Sequence, residues 1–315
     1  MKSDWRVGPH DVGTRLDKFL ADSGRLGSRG RATEAIARGK VIVNDVDASS
    51  ADAGRRLAAG DRVRLWVDRP GTARRRLEVS DDDGLSTVYE DDVLLVLNKP
   101  AGLLTVPLGR RSDAPSVYGR IQDRLRSHGR RRPFVVHRID RDTSGLVIFA
   151  KDAATQVALK DQFRRREPER VYSAIVYGCP TPSSGTWSDH LVWDEDASIQ
   201  KASHPRDPRA KEAISTYKVI EAFPDASLVE IRLVTGKRNQ IRLQARLRGH
   251  TLVGEQRYTY GPDHLRPIEF PRQALHAHRL AFRHPRSGQL VRFEAPLPAD
   301  MRELLRQLRR SSKSS

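Results

Sequence analysis

The stretch Phe134-Val135-Val136-His137-Arg138-Ile139-Asp140-Arg141-Asp142-Thr143-Ser144-Gly145-Leu146-Val147-Ile148-Phe149-Ala150-Lys151 constrains this chain more than any other. Its two ends are apolar and rich in β-branched residues, a pattern that reads as two short strands. Between them lies a charged segment, His137 to Asp142, closed by Thr143-Ser144-Gly145, which turns the chain. Buried strands on either side hold such a segment rigidly, and rigid placement is what a catalytic group requires. Asp140 is the candidate. Arg138 and Arg141 flank it, and a nearby cation favours an ionised carboxylate that can serve as nucleophile or base. Spacing alone leaves a second reading open, a solvated hairpin tip whose charges pair with one another. For Asp142 the plainer role is preferred, hydrogen bonding within the turn alongside Thr143 and Ser144.

The chain is strongly basic, with 57 Lys and Arg against 40 Asp and Glu, a formal charge of +17. Such a surplus implies a polyanionic partner, most simply nucleic acid, because a phosphate backbone attracts Lys and Arg whatever its sequence. No basic amphipathic helix or lipidation signal points to a membrane instead. At 315 residues, 37% of them apolar, the chain can hold one large domain and a small one. Cys179 is the only cysteine, which excludes an intrachain disulfide and a cysteine-based metal cluster. Met1-Lys2-Ser3-Asp4-Trp5 lacks the apolar run of a signal peptide and no segment approaches a membrane span, so a cytoplasmic protein is expected.

Residues 1–68 read as a separate α/β module. Leu16, Phe19 and Leu20 have helical spacing; Ser28 caps a second helix through Ala32, Ala35 and Ile36, which Gly39 ends. Val41-Ile42-Val43 and Gly60 to Val67 follow as strands. Arg25, Arg29, Arg31, Arg38 and Lys40 cluster around the second helix, either as a solvated face or as a phosphate-binding surface. Residues 69–85 are polar and charged in blocks, with proline and glycine, and read as a linker. Strands and helices alternate from 86 to 300. Among these are Val88–Glu90, Leu94–Leu97 with Pro100 and Gly102 breaking the run after Lys99, and a helix from Asp152 to Arg166 with Ala154, Val157, Ala158 and Phe163 as its apolar residues. Strands Arg170–Gly178, Leu228–Val234 and Leu275–Phe282 follow, with a helix after Thr235-Gly236-Lys237-Arg238-Asn239. Residues 301–315 are a helix end and a disordered tail, Ser311 to Ser315.

His137-Arg138-Ile139-Asp140-Arg141-Asp142-Thr143-Ser144-Gly145-Leu146 closely resembles the signature of pseudouridine synthases of the branch typified by RluA and RluD, differing only in Ile139 for leucine. In that family the first aspartate of the motif is catalytic, which falls on Asp140. The resemblance continues through Lys99-Pro100-Ala101-Gly102-Leu103, a motif near the family's active site. It extends to Tyr172-Ser173-Ala174-Ile175-Val176-Tyr177-Gly178, whose first tyrosine lies against the target base. Gly236 to Arg242 resembles a family motif whose last arginine pairs with the catalytic aspartate, a role carried to Arg242. A guanidinium offers a planar two-pronged grip on a carboxylate and stays charged when desolvated. Lys237, Arg238 and Asn239 depart from that motif, so the chemistry is expected to survive while RNA contacts nearby differ. Gly249 to Glu255 resembles a further motif, with Thr251 and Glu255 as departures, and reads as structural. The first module resembles the S4-type RNA-binding domain that many enzymes of this branch carry.

The resemblance implies an α+β fold: a mixed, largely antiparallel sheet with flanking helices and a central RNA cleft, preceded by the small α/β module. It implies isomerisation of uridine to pseudouridine within RNA, with Asp140, Tyr172 and Arg242 at the reaction. Lys99, Arg138, Arg141, Lys237 and Arg238, and Arg29, Arg31, Arg38 and Lys40 in the first module, would meet RNA. The isomerisation is internal and calls for no cofactor or metal; His276 and His278, alternating in a strand without a third ligand, are expected to pack there. The domain arrangement favours large-subunit ribosomal RNA, with transfer RNA as the alternative, and a monomer is expected. Competing readings are a non-catalytic RNA-binding or ribosome-assembly protein and a glycosidase-like hydrolase pairing Asp140 with Asp142. An aspartic protease is remote, because Asp142-Thr143-Ser144-Gly145 has an extra residue and no second copy.

Overall fold

In the computed structural model, which describes residues 2–37, 39–66, 85–107, 114–127, 132–259 and 267–312, the chain divides into two units, Met1–Arg76 and Leu77–Ser315. The first contains β1 (Lys2–Arg6), α1 (Leu16–Leu20), α2 (Arg29–Ala37), β2 (Val41–Val43), β3 (Val46–Asp47) and β4 (Arg62–Trp66). Its sheet runs β1-β4-β2-β3, antiparallel throughout. Leu16, Phe19, Leu20, Ala32 and Ile36 close over Val41, Val43, Val63 and Leu65. Ser28 accepts from the Arg31 amide at 3.3 Å, and α2 ends where Gly39, at φ +64, lets its own amide return to Ile36 and that of Lys40 to Ala35.

One member of the expected basic surface is spent inside the unit. The Arg25 guanidinium lies 3.4 Å over the Phe19 ring, donates to the Phe19 carbonyl and pairs with Asp11 at 3.0 Å. Aromatic stacking and a counterion hold it in place, so it is no phosphate contact. Arg29 and Arg31 are exposed on α2 and Lys40 is half-buried after it. Arg38 lies outside the described residues, as do residues 67–84 of the expected linker. Leu85 is buried in the core of the second unit.

The second unit contains β5 (Ser86–Glu90), β6 (Leu94–Lys99), α3 (Val117–Ser127), β7 (Phe134–Val135), β8 (Ser144–Ala150), α4 (Ala153–Arg164) and β9 (Glu169–Tyr177). It continues with β10 (Ser184–Asp194), β11 (Ile199–Ala202), β12 (Lys211–Ala222), β13 (Ala226–Leu233), α5 (Gln240–Leu247), β14 (Leu275–Arg283), β15 (Leu290–Glu294) and α6 (Ala299–Ser311). Eleven strands form one sheet in the order β11-β10-β12-β13-β9-β14-β8-β6-β5, with β15 paired to β14 and β7 to β8. Among the described strands only β14 and β8 run parallel, through His276 opposite Ser144 and Ala277 opposite Gly145. The sheet is thus mixed and largely antiparallel, as expected, and β14 alone joins β8 to β9.

Gly145 makes that junction sterically feasible. It sits at φ +115, and a Cβ there would fall 2.6 Å from the Ala277 nitrogen and closer still to its oxygen. No L side chain fits that backbone approach.

Two local expectations are corrected. Asp152 caps α4 by accepting from the Thr155 amide, but the buried stripe of the helix is Thr155, Leu159 and Gln162, while Val157 is exposed. Gln162 turns inward because its amide bonds both backbone groups of Arg283. Ser311 is the last residue of α6 rather than the start of a tail, and 313–315 lie outside the described residues. Helix α6 buries Met301, Leu304, Leu305 and Leu308 against Ile175, Ala226, Val253 and Ala274. The segment 184–222 carries no element in the sequence reading yet forms three strands. Most of its side chains stay at the surface, with Trp187, Leu191, Ala213 and Tyr217 as its few buried apolar groups, so no clear hydrophobic alternation marks it. No helix among the described residues is long and apolar enough to cross a membrane.

Candidate active site

The turn between β7 and β8 carries Asp140, and nearly every backbone group around it is pinned. Thr105, buried, donates through Oγ1 to the Ile139 carbonyl at 2.8 Å and accepts from the Ile139 amide at 3.3 Å. Lys99 donates to the Arg141 carbonyl at 2.7 Å. Arg272 donates to the Asp142 carbonyl at 3.0 Å and is itself held by Asp300 on α6. Gln273 donates to Thr143 Oγ1, and Ser144 Oγ bonds His276 Nδ1 at 2.9 Å. On the other side His137 accepts the Ile148 amide through Nε2 and stacks on Phe163. Burial, reinforced by the nearby Arg170 charge, takes its pKa down to about 3, so it is neutral.

Lys99 is the principal correction among the expected RNA contacts. It is fully buried, and its Nζ donates to the carbonyls of Pro100, Leu103 and Arg141 at 2.7–2.8 Å. Burial draws its pKa down to about 7, opposed by Asp142 and Asp140. Three inward-turned carbonyls match the three hydrogens of an ammonium, so this side chain ties one loop to another and does not reach solvent. Asp142 also differs from expectation: its carboxylate pairs with Arg141 at 3.0 Å, and it serves the turn through its carbonyl.

Asp140, Tyr172 and Arg242 line one cavity of about 620 Å³. Arg242 Nη1 donates to Asp140 Oδ2 at 3.1 Å. Its two-pronged grip goes elsewhere, with Nε and Nη2 donating to the two oxygens of Glu255 at 2.7 and 2.6 Å. The Asp140 side chain is 27% exposed, Arg242 11% and Glu255 0%, so of the two acids only Asp140 can meet a substrate. Burial works against the charge on Arg242, but Glu255 and then Asp140 hold its pKa above the ordinary value. Burial likewise pushes Glu255 up, and Arg242 with the amides of Arg257 and Tyr258 brings it below its usual range.

Asn239, a departure from the family motif, has a structural reason. It stands at φ 50, ψ 24 ahead of α5, a left-handed conformation that asparagine tolerates better than most residues. Its amide then accepts from Arg242 Nη1 at 3.2 Å and donates to the Tyr258 hydroxyl at 3.2 Å. Gln240 accepts from the Lys237 amide and Thr235 Oγ1, fixing the turn into the helix.

Tyr172 sits on β9 opposite Ile231 and Ala277, only 8% exposed. Burial raises its pKa, so it is a phenol at neutral pH. Arg138, Lys237 and Arg238 line the same cavity, with Arg238 stacked 3.7 Å over Trp193. Arg141 is exposed and is not among the residues that line the cavity. His276 and His278 both bond the Ala295 carbonyl. Burial takes His276 down to about 4. Among the described residues no group of three or more His, Cys, Asp or Glu side chains is placed to hold a metal ion.

Thr105, Glu255, Arg272 and Gln273 were missed by sequence reasoning. Glu255 alone carried a signal, an acid directly after the glycine of a recognisable motif.

A family model described as RNA pseudouridylate synthase matches residues 93–247. The chain is 37% identical over 300 residues to the RNA pseudouridine synthase YlyB of Bacillus subtilis, covering 94% of this chain and 95% of that one. It is 34% identical over 311 residues to the ribosomal large subunit pseudouridine synthase D of Zymomonas mobilis, covering 96% of each. Among solved structures, human RNA pseudouridylate synthase domain containing 4 superposes with a TM-score of 0.57 at 22% identity, covering 70% of this chain and 92% of that one, a likeness of fold.

Proposed function

This chain belongs to the RNA pseudouridine synthase family, in the branch typified by RluA and RluD, and from that premise we propose that Asp140 is the carboxylate that acts on the target uridine. The enzyme is an isomerase. The bond from ribose to N1 of uracil breaks, the base turns, and a bond from ribose to C5 forms; a proton leaves C5 and N1 gains one, so nothing is added or lost. Asp140 serves as nucleophile or proton acceptor at the sugar or base. Arg242, fixed by Glu255, orients it. Tyr172, a buried phenol, stacks on the uracil, and a uridine that is paired in its RNA must be flipped out to reach the cavity.

The observation that carries this reading is the single hydrogen bond from Arg242 to Asp140 in a cavity that Tyr172 also lines. Arg138, Arg141, Lys237 and Arg238 would hold phosphates around the flipped nucleotide, and Arg29, Arg31, Arg38 and Lys40 would meet RNA through an S4-type module. Large-subunit ribosomal RNA is the substrate class, supported by relatives named for it, such as the Zymomonas mobilis enzyme. The protein acts as a monomer in the cytosol.

Mapping pseudouridines across cellular RNA, with the intact chain and with Asp140→Asn, tests this. Discrete sites vanish in the variant while RNA binding persists. Sites that survive Asp140→Asn would remove Asp140 from the chemistry.

A further inference from the structure

Arg170 stands two residues before Tyr172 on β9, so both side chains leave the same face of the strand, and both line the cavity. Its guanidinium is closely confined. The Phe163 ring lies 5.6 Å from Cζ, Nη2 donates to the Val234 carbonyl at 3.3 Å, and Gly236 is so near that any Cβ would collide with Nη1. Nε is buried without a hydrogen-bond partner among the described residues. Its ionisable neighbours, His137 and Tyr172, are neutral. Elsewhere in this unit buried cations meet carboxylates: Arg242 meets Glu255, Arg272 meets Asp300, and Lys151 meets Glu90. Arg170 meets none among the described residues.

Arg170 is half-buried as a whole, and a charge partly withdrawn from water without a counterion is costly and is normally paired. Here the missing anion has access, because Arg170 opens onto the cavity that holds Asp140. Lys237 lines the cavity as well and adds positive potential that draws in an anion, whereas Arg164 and Arg166 there are paired with Asp161 and Glu212. We propose that Arg170 is the seat of a backbone phosphate flanking the target uridine, a preformed anchor that fixes the nucleotide while its base lies against Tyr172. The inference rests on the pseudouridine synthase reading and adds a positioning contact to it. A uracil carbonyl is the weaker occupant, because it leaves the guanidinium charge uncompensated, whereas a phosphate neutralises it.

Calorimetric titration of the full-length protein with uridine 3′,5′-bisphosphate and with uridine tests the assignment without turnover. The intact protein binds the bisphosphate at least tenfold more tightly than the nucleoside. Arg170→Gln loses most of that preference while its affinity for uridine is unchanged. Arg170→Lys, which keeps the charge and stem in case the glutamine variant does not fold, retains a reduced preference. Equal binding of the two probes by the intact protein overturns the proposal, as does an equal weakening of both in either variant, which marks a structural role or a contact to the base. Because binding is read apart from catalysis, this result and the outcome of the Asp140→Asn mapping stand separately.

Discussion

Arg242 gives two nitrogens to Glu255, at 2.6 and 2.7 Å, and one to Asp140, at 3.1 Å. The fully buried acid neutralises and aims the guanidinium, and the more exposed acid is held by a single bond to one of its oxygens. An arginine clamped on both prongs by Asp140 would compete with the substrate for that carboxylate. Delegating the clamp to Glu255 keeps Asp140 oriented yet engaged at only one oxygen.

Removing the delegate should therefore harm both fold and rate. Glu255→Gln leaves Arg242 buried beside a neutral amide, and losing one partner of a buried pair costs about 3–5 kcal/mol. Urea unfolding should show a loss of that order, and single-turnover isomerisation of an RNA fragment carrying a mapped site should slow at least tenfold. A variant as stable and as fast as the parent would mean that the clamp is incidental.

The two aspartates of the central motif should separate cleanly. The ion pair that the Asp142 carboxylate forms among the described residues is with its exposed neighbour Arg141, and such pairs contribute about 0–1 kcal/mol. Asp142→Asn should keep activity within about tenfold of the parent, by analogy with that small energy, whereas Asp140→Asn should yield no product. Equal loss in both would overturn this division of labour.

Gly145 and Gly249 both have positive φ, but only Gly145 has backbone where a Cβ would go. Gly249→Ala should cost about 1 kcal/mol, the strain alone. Gly145→Ala adds a collision with Ala277, and strain plus overpacking should exceed about 3 kcal/mol. Paired thermal denaturation curves make the comparison.

Acid should weaken the fold before the carboxylates titrate. A histidine in an unfolded chain titrates near 6.5, whereas His137 and His276 are held at about 3 and about 4. Between these values the unfolded chain binds more protons, so this contribution is complete above pH 6.5 and is lost as the pH falls toward 4. Two such groups give a slope of up to about 2.7 kcal/mol per pH unit. Urea midpoints measured between about pH 6 and pH 4.5 should fall accordingly, and His276→Gln should roughly halve the slope.

The sequence disclosed the reacting groups better than it disclosed what holds them. Asp140, Tyr172 and Arg242 each stand in a contiguous run of recognisable residues, and the fold brings them to one cavity. Thr105, Arg272 and Gln273 are isolated polar residues whose partners lie far along the chain, and no local pattern betrays such a contact. Lys99 was misread because a lysine before Pro100 in a loop ordinarily faces water; only the fold turns three carbonyls upon it. The strands between 184 and 222 escaped because few of their side chains are buried, and α4 was rotated in the reading because Gln162, though polar, is bonded inside.

The place of β14 in the sheet has a consequence for when the enzyme can exist. While the chain is being made, Asp140, Tyr172 and Arg242 have all been joined to it before residue 275 is added. The strand that follows Asp140, β8, and the strand that carries Tyr172, β9, still have nothing between them, because β14, which joins them, is synthesised later. A nascent chain, or one broken off before that point, holds every reacting group and no assembled centre, so a half-made copy cannot modify the RNA that surrounds it at birth.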